Sequence, residues 1–266
     1  MRGPRAGHAA SYFPGMPFDY ARRLTAAVRT KRENIHLGAG LAFVAGATNA
    51  GAFLAVHQYT SHMTGIVSAM AGAVIFGQRT VLITGIGALV AFTAGAATTA
   101  IMVNAARRRG LSSAYAQPLL LEAALLLLFG VVGARLNEVH AVFVPVTVGL
   151  LCYLMGLQNA VITKISHAVI RTTHVTGIIT DLGIELGKLF YINRGTHAAG
   201  DRVVGDRDRL GVLTLLLVAF FGGGIVGAAG FHRLGYVATV PLAFVLVALA
   251  VVPVADDLRS ATRRHG

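Results

Sequence analysis

The feature that most constrains this chain is a set of uncharged apolar runs too long for the core helix of a soluble domain. Leu213–Ala229 carries no charge, and neither does Tyr236–Ala255. A helix needs about 20 apolar residues to cross the hydrocarbon core of a bilayer, and several segments here qualify. Composition agrees: 55% of the 266 residues are hydrophobic and only 13% are charged, against about 25% charged in soluble domains. The 32 glycines suit helices that pack closely in a membrane. The expectation is an all-α, multi-pass integral membrane protein whose first partner is the lipid bilayer.

The formal charge of +12 does not point to nucleic acid. The arginines sit in the tails and between apolar runs, as the positive-inside rule requires, and no basic, aromatic-rich module is present. Cys152 is the sole cysteine, so no intrachain disulfide forms. Residues 1–34 are basic and polar and have no apolar core before a small-residue cleavage site. They read as a cytoplasmic tail, or over Phe18–Ile35 as a surface amphipathic helix.

Internal repetition comes next. Asn49-Ala50 is followed by His62-Met63-Thr64-Gly65-Ile66, and Asn159-Ala160 by His174-Val175-Thr176-Gly177-Ile178. Leu89-Val90-Ala91-Phe92 recurs as Leu217-Val218-Ala219-Phe220. The implied units are 35–138 and 139–255, the second with a polar insertion at 193–209, and 256–266 forms a basic tail. Each unit predicts a long helix (36–56, 141–163), a short His-x-Thr-Gly segment (62–77, 174–190) and two further helices (80–104 with 118–134, 210–230 with 236–255).

Charge bears on topology. If all eight segments cross, 17 Lys and Arg lie inside and 6 outside. If the two His-x-Thr-Gly segments re-enter and leave on the same side, the split becomes 20 to 3, which fits better. Six crossings also leave three per unit, so the units face opposite ways, as in transporters built from inverted repeats. Eight crossings with parallel repeats is the alternative.

Val169–Thr173 is largely β-branched and Tyr59-Thr60-Ser61 polar, so both read as extended chain entering half-helices. Such ends present free N–H groups and a positive dipole end, suited to an anionic or strongly polar group. The candidate binding residues are Asn49, His62, Thr64, Gly65, Asn159, His174, Thr176 and Gly177. The structural alternative makes Thr64 and Thr176 helix caps, the glycines packing sites, and the asparagines interhelical glue.

On the second segment His174, Ile178, Asp181, Glu185 and Lys188 share one face. The first has His62, Ile66, Ala69, Ala73 and Phe76 there. Asp181, Glu185 and Glu122, an acid one turn into an apolar helix, are candidate coupling groups. The alternative for Glu185 is an i,i+3 pair with Lys188 at the membrane boundary, and Glu122 reads first as a boundary residue, with a buried proton site as the other reading. No catalytic or cofactor motif stands out, and the spacing of His57, His62, His167 and His174 does not demand a metal. The expectation is a non-enzyme without a cofactor.

At these motifs the sequence resembles the YoaK family of bacterial multi-pass membrane proteins, whose domain has no assigned function. The resemblance runs from about Ile35 to Val254. It rests on Tyr59–Gly65, Arg171–Gly177, Thr180–Gly183 and Gly156–Ala160. It implies a bacterial inner membrane, with both termini cytoplasmic by the charge argument. The family pattern places an acidic residue at Asn49 and Asn at Ile66, so the resemblance carries no coupling role to the first copy. The function expected is a small secondary transporter or permease for a polar or anionic solute, with one repeat rocking against the other. The alternative is a membrane scaffold or a lipid or ligand sensor. A homo-oligomer is compatible with Gly183-x3-Gly187 and Gly223-x3-Gly227, which suit packing within or between subunits.

Overall fold

The structure, a computed structural model, describes residues 31–56, 59–111, 113–135, 140–165, 174–193 and 202–265. The N-terminal stretch 1–30, Val169–Thr173, His57, His167 and the middle of the polar insertion lie outside the described residues. The described residues form helices and connecting turns: α1 (Lys31–Val56), α2 (Met63–Ile75), α3 (Arg79–Arg108), α4 (Ala116–Ala134), α5 (His140–Ile165), α6 (Val175–Phe190), α7 (Arg207–Leu234) and α8 (Thr239–His265). A 3-10 turn, Gly235–Ala238, separates the last two.

Among the described residues, five helical segments are long and apolar enough to cross a membrane: Arg32–Leu54, Arg79–Arg108, Ala116–Ala134, Pro145–Lys164 and Arg207–Val251. The chain is a membrane protein on this evidence. The fifth segment holds α7, the turn and much of α8. Its break falls at Gly235, whose φ of 58° suits glycine above all other residues. The last two helices were expected at 210–230 and 236–255. Asp206 extends α7 backward, its side chain accepting from Arg209 N–H at 3.0 Å. Helix α8 starts after the turn and continues through the charged 256–265 stretch read above as a tail.

With 13 and 16 residues, α2 and α6 are about 20 and 24 Å long at 1.5 Å per residue. Both fall short of the roughly 30 Å hydrocarbon core. Each packs along the helix that follows it, α2 on α3 and α6 on α7.

Glycines set the long-helix packing. Gly46 lies against the Phe220 carbonyl, Gly223 against the Phe43 carbonyl, Gly227 against the Ala47 backbone and Gly51 against the Phe231 ring, so α1 and α7 run parallel at close range. Gly95 meets the Tyr153 carbonyl and Gly156 the Phe92 carbonyl. Thr99 Oγ1 donates to Leu157 O at 2.9 Å, and Tyr153 Oη to Thr98 Oγ1 at 2.8 Å. Helices α3 and α5 are therefore parallel too. Gly223-x3-Gly227 thus packs within the chain, whereas Gly183 and Gly187 have open space where a Cβ would stand.

Helices α4 and α8 instead run antiparallel. Gly133 meets the Tyr236 ring and Gly130 meets Thr239, while Ser113 N–H, just before α4, donates to Asp257 Oδ2 at 2.8 Å. At that same end Arg107 donates to Tyr115 Oη, whose hydroxyl reaches Lys164 O at 3.4 Å. The C-terminal ends of α3, α5 and α8 and the N-terminal end of α4 therefore share one level of the bundle.

Candidate functional site

The two His-x-Thr-Gly segments fold alike. Helices α2 and α6 are capped by His62 (φ −91°, ψ 66°) and His174 (φ −85°, ψ 58°), neither through a side-chain hydrogen bond. Each histidine carbonyl accepts the first helical bond, from Ile66 at 3.1 Å and Ile178 at 3.0 Å. The threonines are therefore not caps. Thr64 and Thr176 occupy the second helical position, because each helix starts two residues earlier than a threonine cap requires. The amides of each first turn have no partner inside their own helix.

The glycine three residues after each histidine has a visible purpose. A Cβ on Gly65 would strike the His62 ring, and one on Gly177 the His174 ring. Each imidazole lies back across the first turn of its helix, in room that only glycine leaves.

Both helix ends open on one cavity of about 740 Å³. Its lining pairs the two halves: Asn49 with Asn159, His62 with His174, Met63 with Val175, Thr64 with Thr176, and Phe92 with Phe220. Tyr59, Ser61 and Thr163 complete the wall. Six of the eight candidate binding residues thus meet around one space, and Gly65 and Gly177 seat the histidines that border it. Ser61 Oγ donates to Asn49 Oδ1 at 2.9 Å, and Asn159 Nδ2 to its own helix at Met155 O, also 2.9 Å. Tyr59 stacks on Phe53 with ring centroids 4.5 Å apart.

Sequence reasoning did not assign Phe92, Phe220, Tyr59, Ser61, Met63, Val175 or Thr163 to the site. A signal existed for the phenylalanines, since they close the matched Leu-Val-Ala-Phe tetrapeptides.

No Asp, Glu, Lys or Arg lines the cavity among the described residues. The three candidate coupling acids lie elsewhere. Asp181 Oδ2 pairs with Arg209 Nη2 at 3.0 Å. Glu185 Oε1 takes Lys188 Nζ at 3.0 Å and Arg209 Nη1 at 3.4 Å, and its Oε2 accepts Asp206 N–H at 3.0 Å. The Asp206 amide, then Lys188, hold the Glu185 carboxyl below its ordinary value against the opposing effect of burial. These groups latch the end of α6 to the start of α7. Glu122 is fully buried in α4 beside Leu119, Ala123 and Leu126, and neither of its oxygens has a hydrogen-bond partner among the described residues. Among the described residues no three His, Cys, Asp or Glu side chains gather as a metal site.

Residues 37–252 match the model of a family described as Protein of unknown function (DUF1275). No curated protein and no solved structure matches the chain.

Proposed function

The chain belongs to the DUF1275 family, whose description assigns no activity, and we propose that it is a small secondary transporter for a polar or anionic solute. The observation that carries this reading is the cavity whose wall is built from equivalent residues of the two halves.

Several features support an inverted repeat with six crossings. In a parallel duplication the fourth helix of each unit would run the same way, yet α4 and α8 are antiparallel. The 45-residue segment Arg207–Val251 would measure about 67 Å as one helix, more than twice the hydrocarbon thickness. The turn at Gly235 supports reading it as two crossings. Phe92 and Phe220 each stand 13 residues after the start of their helix, about 20 Å deep, on helices that run in opposite directions. Both therefore lie near mid-height, where transporters of this design bind. The level holding Arg107–Arg109 and Lys164 is the cytoplasmic one by the positive-inside rule, and the YoaK resemblance supports a bacterial inner membrane.

The moving bodies differ from those the sequence suggested. The glycine contacts tie α1 to α7 and α3 to α5 across the repeats, so the repeats do not separate cleanly. The units that rock are α1–α6–α7 and α2–α3–α5. Each carries one Asn, one His and one Phe of the cavity wall, with Thr176 on the first and Thr64 and Thr163 on the second. Alternating access follows from tilting these half-sites against each other.

Sidedness tests the reading without a known solute. Cys152 is replaced by Ser, and Thr64→Cys and Thr176→Cys are made separately. Each is treated with anionic sulfonatoethyl methanethiosulfonate in right-side-out and inside-out vesicles. Both thiols should react from either face. Reaction from one face only, or from neither, would support a scaffold or sensor and end the transport reading.

A further inference from the structure

The cavity wall has two chemistries. Phe92, Phe220, Tyr59 and Met63 make it apolar, while the histidines, threonines and asparagines converge from both sides. A volume of about 740 Å³ falls within the roughly 300–1,000 Å³ of small-organic-molecule sites. No lining group carries a fixed charge among the described residues. The ionisable side chains among the described lining residues are His62, His174 and Tyr59. Imidazole is the side-chain type suited to exchanging a proton in a binding site.

Resting on the transport reading above, we propose that the solute is a small organic carboxylate. Its apolar body lies between Phe92 and Phe220, and its charge is balanced by one proton taken up on His62 or His174. A bare carboxylate moved from water into a cavity whose described lining holds no Lys or Arg loses most of its hydration. Here an imidazole nitrogen takes a proton from the buffered solution and becomes imidazolium. The proton and the carboxylate then offset each other's charge, and no bond to the solute forms or breaks. Proton and anion strengthen each other's binding by the same factor, which is what couples solute movement to a proton gradient. The histidines suit this role by placement. Their rings rest over Gly65 and Gly177 and do not cap their helices through the side chain. Asp181, the acid first considered for coupling, is paired with Arg209 and does not line the cavity.

The test is calorimetric titration of the full-length protein in detergent at about pH 7.5 with benzoate, then with formate. Each is run in two buffers of different ionisation enthalpy, so that protons taken up per anion are counted. Wild type should take up close to one proton per benzoate. H62Q and H174Q should each keep partial uptake, and the double variant should bind without it. F92A/F220A should weaken benzoate about five-fold or more while leaving formate within two-fold. Benzoate binding without proton uptake in wild type, or equal uptake in the double variant, overturns the coupling and leaves the transport reading standing. Equal losses for both anions in F92A/F220A, with an unchanged melting temperature, overturn the carboxylate-with-apolar-body assignment. Failure of wild type to bind benzoate overturns it as well. The transport reading itself falls only if the cysteine test above gives access from one face or from neither.

Discussion

Helices α2 and α6 begin alike and end differently. Their N-terminal turns share a histidine with nearly the same dihedral angles, a threonine at the second position, a glycine under the imidazole and one cavity. Further along, α2 carries Ala69, Ala73 and Phe76 where α6 carries Asp181, Glu185 and Lys188. Phe76 is largely exposed, as an apolar side chain facing lipid would be, whereas Asp181 and Glu185 bind Arg209 and the Asp206 amide, and Lys188 pairs with Glu185. Where the two copies serve one shared space they are the same. Where each meets its own end of the bundle they have diverged. On the proposed transport reading, a site used from both sides of a membrane must look alike to both halves, while the anchors need not.

The glycines give this comparison its largest test. In Gly156→Ala or Gly46→Ala a new Cβ would overlap a backbone carbonyl, of Phe92 or Phe220, and backbone cannot rotate away. Overpacking of this kind costs about 1–3 kcal/mol or more, so both variants should melt well below wild type in detergent. Gly65→Ala and Gly177→Ala meet only a histidine ring, which can swing aside, and alanine is about 0.5–1 kcal/mol better than glycine in a helix. Their melting temperatures should hold or rise while benzoate binding weakens. If the alanine variants at 46 and 156 melt like wild type, the cross-repeat bodies are not welded as described.

The same contrast explains what could be read from sequence. The apolar runs and the doubled motif identified the helices, because periodicity and repetition are local signals. They also placed Asn49, His62 and Thr64 opposite their copies. Non-local partners were not legible. Asp181 and Glu185 looked like costly charges in a membrane helix because Asp206 and Arg209, more than twenty residues on, could not be assigned to them. The phenylalanines were in plain view within the matched tetrapeptides, but a Phe in an apolar helix carries no sign of which face it occupies. The swapped pairing of α1 with α7 and α3 with α5 depends on which glycine faces which carbonyl, and spacing alone does not say.

A middle-sized effect is expected at the latch. Glu185→Gln keeps the size of the side chain but removes the charge facing Lys188 and Arg209 and turns one acceptor into a donor facing the Asp206 amide. The variant should lower the melting temperature and speed proteolysis between α6 and α7. A control change on α2, Ala69→Gln at an exposed position, touches no such network and should leave the corresponding α2–α3 turn as resistant as in wild type. Equal sensitivity at both turns would mean that the two half-helix ends are anchored alike, contrary to the comparison above.

Acid should reproduce the latch effect in wild type, more weakly. The Asp206 amide and Lys188 hold the Glu185 carboxyl below its ordinary value of 4.5. A carboxylate with a lowered folded-state value binds fewer protons folded than unfolded. Its contribution is therefore complete above the ordinary value and disappears as pH falls through the folded one. The gap in melting temperature between wild type and Glu185→Gln should be full near neutral pH and should narrow below 4.5. The narrowing should be small. Glu185 is 2% exposed, but Lys188 and Arg209 are 38% and 50% exposed, and water screens such pairs. A gap that stays constant from neutral pH to well below 4.5 would show that shape and the backbone hydrogen bond, rather than charge, fasten α6. The asymmetry between the half-helices would then lie in packing instead of electrostatics.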